Sequence, residues 1–329
     1  MKNRSMVCLA CAIGSASAFG QYSVFATESF SGSLGGNTTQ YGGIQQYNFS
    51  GPGGSPTTGP GLPASQLQDP VGLRNRQGKL YIGNRVGNTL GQGSAMASVL
   101  TGTTAGAPAV IATQSSSSFA GFHGLDVAPN SDLFVATVSG GTRWYRDSGS
   151  GYADIGGTAS ALVRDAFVSP DGKKLYETIV DRNELRVTDI LGNTFGSSSV
   201  FALSGASSPH QITMRNGRLY TANFSSSNVS EVVLDANGLP VSTSIVASVS
   251  SAIGITFSPD GNEMFVSSHT GNMLTRLGLG QNGWSSTGSW QTGRNMGYLA
   301  TAVPEPTTMV ALAVGTALVA RRRRKPARC

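Results

Sequence analysis

Three histidines and one arginine are the side chains of this sequence best suited to chemistry. His123, His210 and His269 are the only histidines among 329 residues, and Arg164 lies between the first two. Imidazoles can ligate a divalent metal or transfer protons near neutral pH, whereas a guanidinium binds anions. Arg164 follows His123 by 41 residues and precedes His210 by 46, so only a repeating fold could bring the three together.

A repeat of about 44 residues supplies such a fold. An aliphatic-aromatic pair recurs after a tight polar turn, at spacings of 53, 42, 44 and 45 residues. The turns place Gly or Asn where a hairpin needs positive φ, as in Asn216-Gly217. This period is typical of β-propeller blades. The pairs are Leu80-Tyr81, Leu133-Phe134, Leu175-Tyr176, Leu219-Tyr220 and Met264-Phe265.

The sequence therefore predicts an all-β domain over residues 19–302, a β-propeller of four-stranded blades. Residues 22–49 fit the later strands of a blade that lacks its first strand, and Gly297–Ala300 can supply it. Closing the ring with strands from both ends leaves no exposed edge and gives six blades. The Pro/Gly/Ser-rich stretch 51–64 and the run Ser115–Ser118 are expected to be loops. A β-sandwich is the alternative, although it does not require a steady period.

Two segments carry a family resemblance. Ser-Pro-Asp-Gly followed by an aliphatic-aromatic pair, at Ser169–Tyr176 and Ser258–Val266, resembles the YVTN, NHL and gluconolactonase group of propellers. The resemblance spans most of residues 22–302 and implies architecture rather than activity. Gluconolactonase-like calcium sites need acidic and amide side chains around the channel, and the glutamates here fall mostly on strands or turns. That site is therefore not transferred to Glu28, Glu177, Glu184, Glu231 and Glu263.

The repeat places the candidate residues at the mouth of the channel. Alignment of the blades on their turns puts six residues at one position, at or just before the start of the innermost strand. These are Val71, His123, Arg164, His210, Ile253 and Met296. His269 follows a second strand, and its loop opens on the same face because the two strands run antiparallel.

Two interpretations of this mouth follow. In the first, His123, His210 and Arg164 are catalytic, and His123, His210 and His269 are candidate metal ligands. In the second, the histidines are polar channel residues bonded to water or backbone. Arg164 would repel a divalent cation and favour an anion, with Asp126 and Asp165 as candidates for neutralising it.

No other catalytic motif occurs in the sequence. There is no Gly-rich phosphate loop after a strand, no G-x-S-x-G elbow and no HExxH helix. The sequence thus predicts no cofactor, leaves a divalent metal as the alternative at the histidines, and favours a binding module over an enzyme.

The N-terminal segment has the pattern of a secretory signal peptide. Lys2 and Arg4 precede an apolar stretch over residues 6–13 and a run of small residues that ends at Ala18. We predict a signal peptide over residues 1–18, cleaved after Ala18 by signal peptidase.

The C-terminal segment 303–329 has three parts. Pro304-Glu305-Pro306 precedes the uncharged residues 307–320 and the basic tail 321–328. The uncharged part is shorter than the roughly 20 residues of a comfortable membrane-spanning helix, although flanking residues can be drawn in. The basic tail keeps its end cytoplasmic, so the preceding chain lies outside. We predict a C-terminal hydrophobic transmembrane helix in the precursor.

This order of motif, apolar segment and arginine cluster resembles the PEP-CTERM sorting signal of Gram-negative bacteria. The resemblance implies that an exosortase recognises Pro304-Glu305-Pro306 and that the tail is removed. It also implies passage from the inner membrane, where the precursor is held, to the outer envelope, cell surface or extracellular matrix. A plain tail anchor is the alternative.

Charge and cysteine content narrow the function of the part between these segments. The segments hold eight of the 23 basic and one of the 17 acidic residues, which leaves 15 against 16 and a net charge of −1. Nucleic-acid binding therefore loses its electrostatic basis. All three cysteines also lie in the terminal segments, so no disulfide or thiol nucleophile is expected in the mature domain.

These observations predict a non-enzymatic surface or matrix protein. Its propeller would bind an exopolysaccharide or an envelope protein. The alternative is an exported lactonase-like or lyase-like propeller enzyme that uses the histidine and arginine mouth.

Overall fold

The computed structural model describes residues 21–29, 42–67, 69–85, 93–114, 121–292 and 294–303. The predicted signal peptide with its cleavage at Ala18 lies outside these ranges, as does the chain from Pro304 onward with the predicted transmembrane and basic parts. Within the described ranges, no helix is long and apolar enough to span a membrane.

In the described part of the chain, six antiparallel sheets surround a central channel. The innermost strand of each sheet contacts the innermost strands of both neighbouring sheets, so the ring is closed. Five of the sheets have four strands each, and the sheet that follows the first in chain order has a short fifth strand. The predicted six-bladed propeller of four-stranded blades is therefore confirmed.

The strands, numbered in chain order and given from the channel outward, are as follows. Blade 1 contains β25 (Asn295–Ala302), β1 (Tyr22–Ser29), β2 (Ile44–Phe49) and β3 (Thr57–Leu62). Blade 2 contains β4 (Pro70–Arg76), β5 (Lys79–Asn84) and β6 (Ser94–Thr101), with β7 (Thr104–Ala105) and β8 (Ala109–Thr113) both pairing with β6. Blade 3 contains β9 (Phe122–Val127), β10 (Leu133–Thr137), β11 (Gly141–Asp147) and β12 (Tyr152–Gly157).

Blade 4 contains β13 (Val163–Val168), β14 (Lys174–Ile179), β15 (Glu184–Leu191) and β16 (Thr194–Ala202). Blade 5 contains β17 (Pro209–Arg215), β18 (Arg218–Asn223), β19 (Asn228–Leu234) and β20 (Pro240–Ser248). Blade 6 contains β21 (Ala252–Phe257), β22 (Glu263–Ser268), β23 (Met273–Gly280) and β24 (Gly283–Gln291). A single 3₁₀ turn, Ala64–Gln66, precedes β4 in the described chain.

Blade 1 is built from both ends of the domain. The innermost strand β25 pairs with β1, with Phe25 opposite Ala300, as the sequence predicted. The outermost strand β3 lies inside the Pro/Gly/Ser-rich stretch 51–64, so the expectation that this whole stretch is a loop was wrong. An edge strand tolerates Pro60 because one side of its backbone needs no sheet partner.

The recurring aliphatic-aromatic pair joins successive blades. Adjacent residues of a strand point to opposite faces of the sheet, so the two members of each pair enter different cores. Leu133 packs in the cluster between blades 2 and 3, and Phe134 packs between blades 3 and 4. Leu175 and Tyr176 repeat this arrangement one blade further on. All four side chains are buried, so each pair holds its blade against both neighbours.

The tight turns adopt the predicted backbone. Gln77-Gly78 and Asn216-Gly217 have positive φ at both central residues, which matches the twist of the flanking strands. In the Ser-Pro-Asp-Gly turn, the Ser169 hydroxyl donates to Asp171 Oδ1 at 2.6 Å. The motif therefore fixes a turn on the face opposite the histidines and has no part in the candidate site.

Candidate functional site

A β-bulge in every blade positions the mouth of the channel. In all six blades the pairing of the innermost and second strands shifts by one residue near the same end. In blade 2 the shift lies between Pro70 and Gly72, so Val71 is the extra residue. A bulge re-aims a side chain and ends regular pairing. His123, Arg164 and His210 occupy the corresponding position in three consecutive blades.

The alignment of Met296 with these residues was wrong by one position. Met296 pairs with Glu28 just before the shift and is buried between blades 1 and 6, so the mouth position of blade 1 is Gly297. The error arose because sequence spacing does not reveal where a bulge falls. Tyr298 follows at the next position and points across the channel, where its hydroxyl donates to the Arg164 carbonyl at 2.8 Å.

Beneath the mouth, Arg74 of blade 2 closes the channel. It donates to the carbonyl oxygens of Leu125 in blade 3 at 3.2 Å and of Ile212 in blade 5 at 3.0 Å. It also forms an ion pair of 2.9 Å with Asp165 of blade 4. One buried side chain therefore links four innermost strands.

Gln211 of blade 5 completes this plug. Its amide donates to the carbonyls of Leu73 at 3.2 Å and Leu299 at 2.8 Å. Its Oε1 accepts from the backbone N–H groups of Ile255 and Leu299, both at 2.8 Å. The plug separates the mouth from a cavity of about 310 Å³ on the opposite face, which is lined in part by Arg76.

The two aspartates proposed to neutralise Arg164 have other partners. Asp165 pairs with Arg74, and Asp126 accepts two bonds of 2.8 Å from Arg76. Burial raises the pKa of Asp165 to about 7, although the Arg74 charge opposes this shift. Neither carboxylate forms an ion pair with Arg164 in the described structure, so that expectation was wrong.

At the mouth, Arg164 and His123 form one hydrogen-bonded pair. Arg164 Nη1 lies 3.0 Å from His123 Nε2. His123 is 3% exposed, and its Nδ1 has no partner in the described structure; the Nε of Arg164 is likewise buried without one. Close by, Arg85 is paired with Asp69 at 3.0 Å.

His210 and His269 lie on either side of Phe224. The ring centroid of Phe224 is 5.7 Å from that of His210 and 6.0 Å from that of His269. His210 Nδ1 bonds the Ser208 carbonyl and His269 Nδ1 bonds the Met296 carbonyl, both at 2.9 Å. The structure thus brings all three histidines and Arg164 to one face of the propeller.

Burial keeps the imidazoles neutral. Desolvation and the nearby Arg164 charge lower the pKa of His123 well below its usual value and that of His210 to about 3. Desolvation also lowers the pKa of His269 and of Arg164. An efficient general acid or base needs a pKa near the working pH, so His123 and His210 are poorly suited to proton transfer.

The geometry at the mouth also bears on metal binding. Among the described residues, no group of three or more His, Cys, Asp or Glu side chains is placed to hold a metal ion. The Nε2 of His123 is occupied by a cationic donor. The predicted catalytic roles of His123, His210 and Arg164 stay predictions. So do the predicted metal-binding roles of His123, His210 and His269.

Four residues of this region were not predicted. Arg74, Gln211 and Tyr298 span the channel, and their partners lie in distant blades, which no local pattern reveals. Phe224 had a usable sequence signal, because it directly follows a second strand, as His269 does. In the structure the two positions are equivalent: the Phe224 N–H donates to the Ser208 carbonyl, and the His269 N–H donates to the Ser251 carbonyl.

Comparison with known families identifies the C-terminal segment. Residues 302–325 match the model of the PEP-CTERM protein-sorting motif. The segment is a PEP-CTERM sorting motif. This motif implies export, a membrane-anchored precursor, processing by an exosortase and sorting to the cell surface. No curated protein matches the chain at a significant level.

Solved structures share the propeller fold. A protein from Lactobacillus plantarum is 14% identical, with a TM-score of 0.60 over 85% of this chain and 99% of its own. The periplasmic gluconolactonase of Pseudomonas aeruginosa is 16% identical, with a TM-score of 0.59 over 87% of this chain and 100% of its own. A chain of the nidogen/laminin complex is 12% identical, with a TM-score of 0.62 over 86% and 99%. Such low identities establish the fold alone.

Proposed function

We propose that the protein is a sorted surface or extracellular-matrix component of a Gram-negative bacterium whose propeller is a non-enzymatic binding module. Its partner is an exopolysaccharide or an envelope protein. The observation that carries this proposal is the Arg164–His123 bond at the mouth. It occupies the lone pair that a catalytic base or metal ligand would need, and it leaves His123 Nδ1 and Arg164 Nε buried without a hydrogen-bond partner in the described structure.

The sorting motif supports the surface role. A propeller held at the cell surface can act by binding a fixed partner and does not depend on the supply of a substrate. Its rigid ring holds the residues of the mouth in a fixed geometry. The cross-channel plug adds to that rigidity, since Arg74 and Gln211 link innermost strands of all six blades.

The test is retention of the processed protein on extracellular polysaccharide purified from the host. We expect the protein to cosediment with the polysaccharide and expect His123→Ala to reduce the bound fraction. Arg218→Gln, which removes an exposed cation from a strand next to the Asn216-Gly217 turn on the opposite face, is the control. Equal retention of wild type and His123→Ala would refute a binding role for the mouth.

An exported lactonase-like or lyase-like enzyme is the second candidate. It is supported by the Nε2 atoms of His210 and His269, which keep their lone pairs free because each Nδ1 bonds a carbonyl. Turnover of sugar lactones or uronate-containing chains, abolished by His123→Ala with His210→Ala, would establish it. Stoichiometric metal lost in the same double variant would support it further.

A further inference from the structure

The polar atoms at the mouth define the chemistry of a ligand. Resting on the proposed binding function, we infer that the mouth binds an acidic sugar, a ring that carries a carboxylate and several hydroxyl groups. The carboxylate lies against Arg164 and His123, and the hydroxyls lie against His210 and His269.

The protonation of His123 follows from its partner. A guanidinium has only donors, so His123 Nε2 must accept the bond from Arg164. A neutral imidazole that accepts at Nε2 carries its proton on Nδ1. This Nδ1–H is a buried donor without a partner among the described residues. Leaving a buried donor unsatisfied destabilises the folded protein, so we expect an acceptor to complete the site.

Arg164 also needs a hydrogen-bond acceptor. Its Nε–H is a second buried donor without a partner in the described structure. None of the ion pairs formed by described carboxylates includes Arg164. A partly buried cation without a counter-ion is best satisfied by an anion, and a carboxylate matches a planar guanidinium. The acceptor is therefore anionic oxygen.

The other two histidines offer hydrogen-bond acceptors, whereas His123 offers a donor. The carbonyls of Ser208 and Met296 can only accept, so His210 and His269 carry their protons on Nδ1 and expose an acceptor at Nε2. Acceptors of this kind bind hydroxyl groups. The partly exposed Phe224 ring between them supplies an apolar face on which a sugar ring can pack.

Nitrogen-15 NMR of the processed protein tests this inference directly. Because the chain has three histidines, three single His→Gln variants assign every imidazole signal. We expect His123 in the Nδ1–H tautomer, and we expect D-glucuronate to shift its Nδ1 signal. D-glucose lacks the carboxylate and should bind at least about tenfold more weakly, since a charged hydrogen bond contributes about 1.5–3 kcal/mol.

Further probes separate the parts of the inference. Inorganic phosphate that binds as tightly as glucuronate would show a general anion site and overturn the sugar assignment. Arg164→Gln should abolish the glucuronate shift, whereas Arg218→Gln, which removes the same charge from the opposite face, should not. Arg164→Lys keeps the positive charge but loses the planar set of guanidinium donors, and we expect this variant to bind glucuronate weakly. An unchanged shift in Arg164→Gln would refute the inference.

Retention on polysaccharide shows whether the acidic sugar belongs to a polymer or is free. It also separates a failure of this inference from a failure of the proposed function. Retention on host polysaccharide that is lost after chemical reduction of its carboxyl groups places the acidic sugar in the polymer. Glucuronate binding without polysaccharide retention indicates a free sugar acid and removes the polymer from the proposed function. Retention that Arg164→Gln does not change leaves the proposed function intact and overturns the acidic-sugar inference.

Discussion

The buried carboxyl of Asp165 should make the stability of the propeller depend on pH. Its side chain is 1% exposed, and burial raises its pKa from 3.8 to about 7. The folded protein therefore binds this proton more tightly than the unfolded chain does. The stabilising contribution is complete below pH 3.8 and is lost as the pH rises through about 7.

The size of the effect follows from the shift. Three pKa units correspond to about 4 kcal/mol, because each unit is worth about 1.4 kcal/mol. Asp165→Asn removes the titration but keeps the shape. Between pH 4 and 7 the free energy of unfolding of the wild type should therefore fall by about 3 kcal/mol relative to the variant, because each state is partly titrated at the ends of this range. Other titrating groups are common to both proteins and cancel in the difference.

Urea denaturation of both proteins at several pH values measures this difference. With a denaturant slope near 3 kcal/mol per molar, the relative midpoint should move by more than about 1 M. Arg74→Met provides a second comparison. The Arg74 charge lowers the pKa of Asp165, so its loss should extend the pH-dependent range above 7. Parallel curves for wild type and Asp165→Asn would refute the argument.

Three further predictions concern the ring and the tail. Gly124→Ala should lower the free energy of unfolding by about 1–3 kcal/mol in urea, because its Cβ would lie 1.9 Å from Asp165 Oδ1; an unchanged midpoint would contradict this close packing. Tyr298→Phe should lower the free energy of unfolding by about 1 kcal/mol and speed amide hydrogen exchange in blades 1 and 4, because it removes the hydrogen bond to the Arg164 carbonyl. Equal exchange rates would count against this link across the channel. Alanines at residues 304–306 should leave a precursor that keeps its C-terminal tail in the inner-membrane fraction on immunoblots. Normal release would argue against exosortase processing.

Most of the fold was predictable because the repeat encodes it locally. Each aliphatic-aromatic pair marks a second strand, and the turn before it contains residues that favour positive φ. The strand β3 was missed because its sequence, Thr57–Leu62, is rich in Gly and Pro, which usually marks a loop. Its position at a sheet edge removes the hydrogen-bonding demand that makes proline unfavourable.

The candidate site was predictable only in its outline. Periodicity placed His123, Arg164 and His210 at one face, since equivalent positions of a repeat meet around the axis. The partners of Asp165 could not be predicted, because Arg74 lies 91 residues away in the chain and meets it only across the channel. The hydrogen-bonding state of each imidazole depends on such contacts and is likewise invisible in the sequence.

The pairing of β1 with β25 sets an order of events during export. The chain emerges N-terminus first, so β1 waits for its partner until residues 295–302 have left the secretion channel. Blade 1 is therefore the last to close, and the ring has an open gap until then. Ala302 ends β25, and Pro304 follows two residues later in the sequence. Because the sorting motif begins at this point of the sequence, any delay in folding would leave the edge of β1 unpaired while the precursor is still held at the membrane.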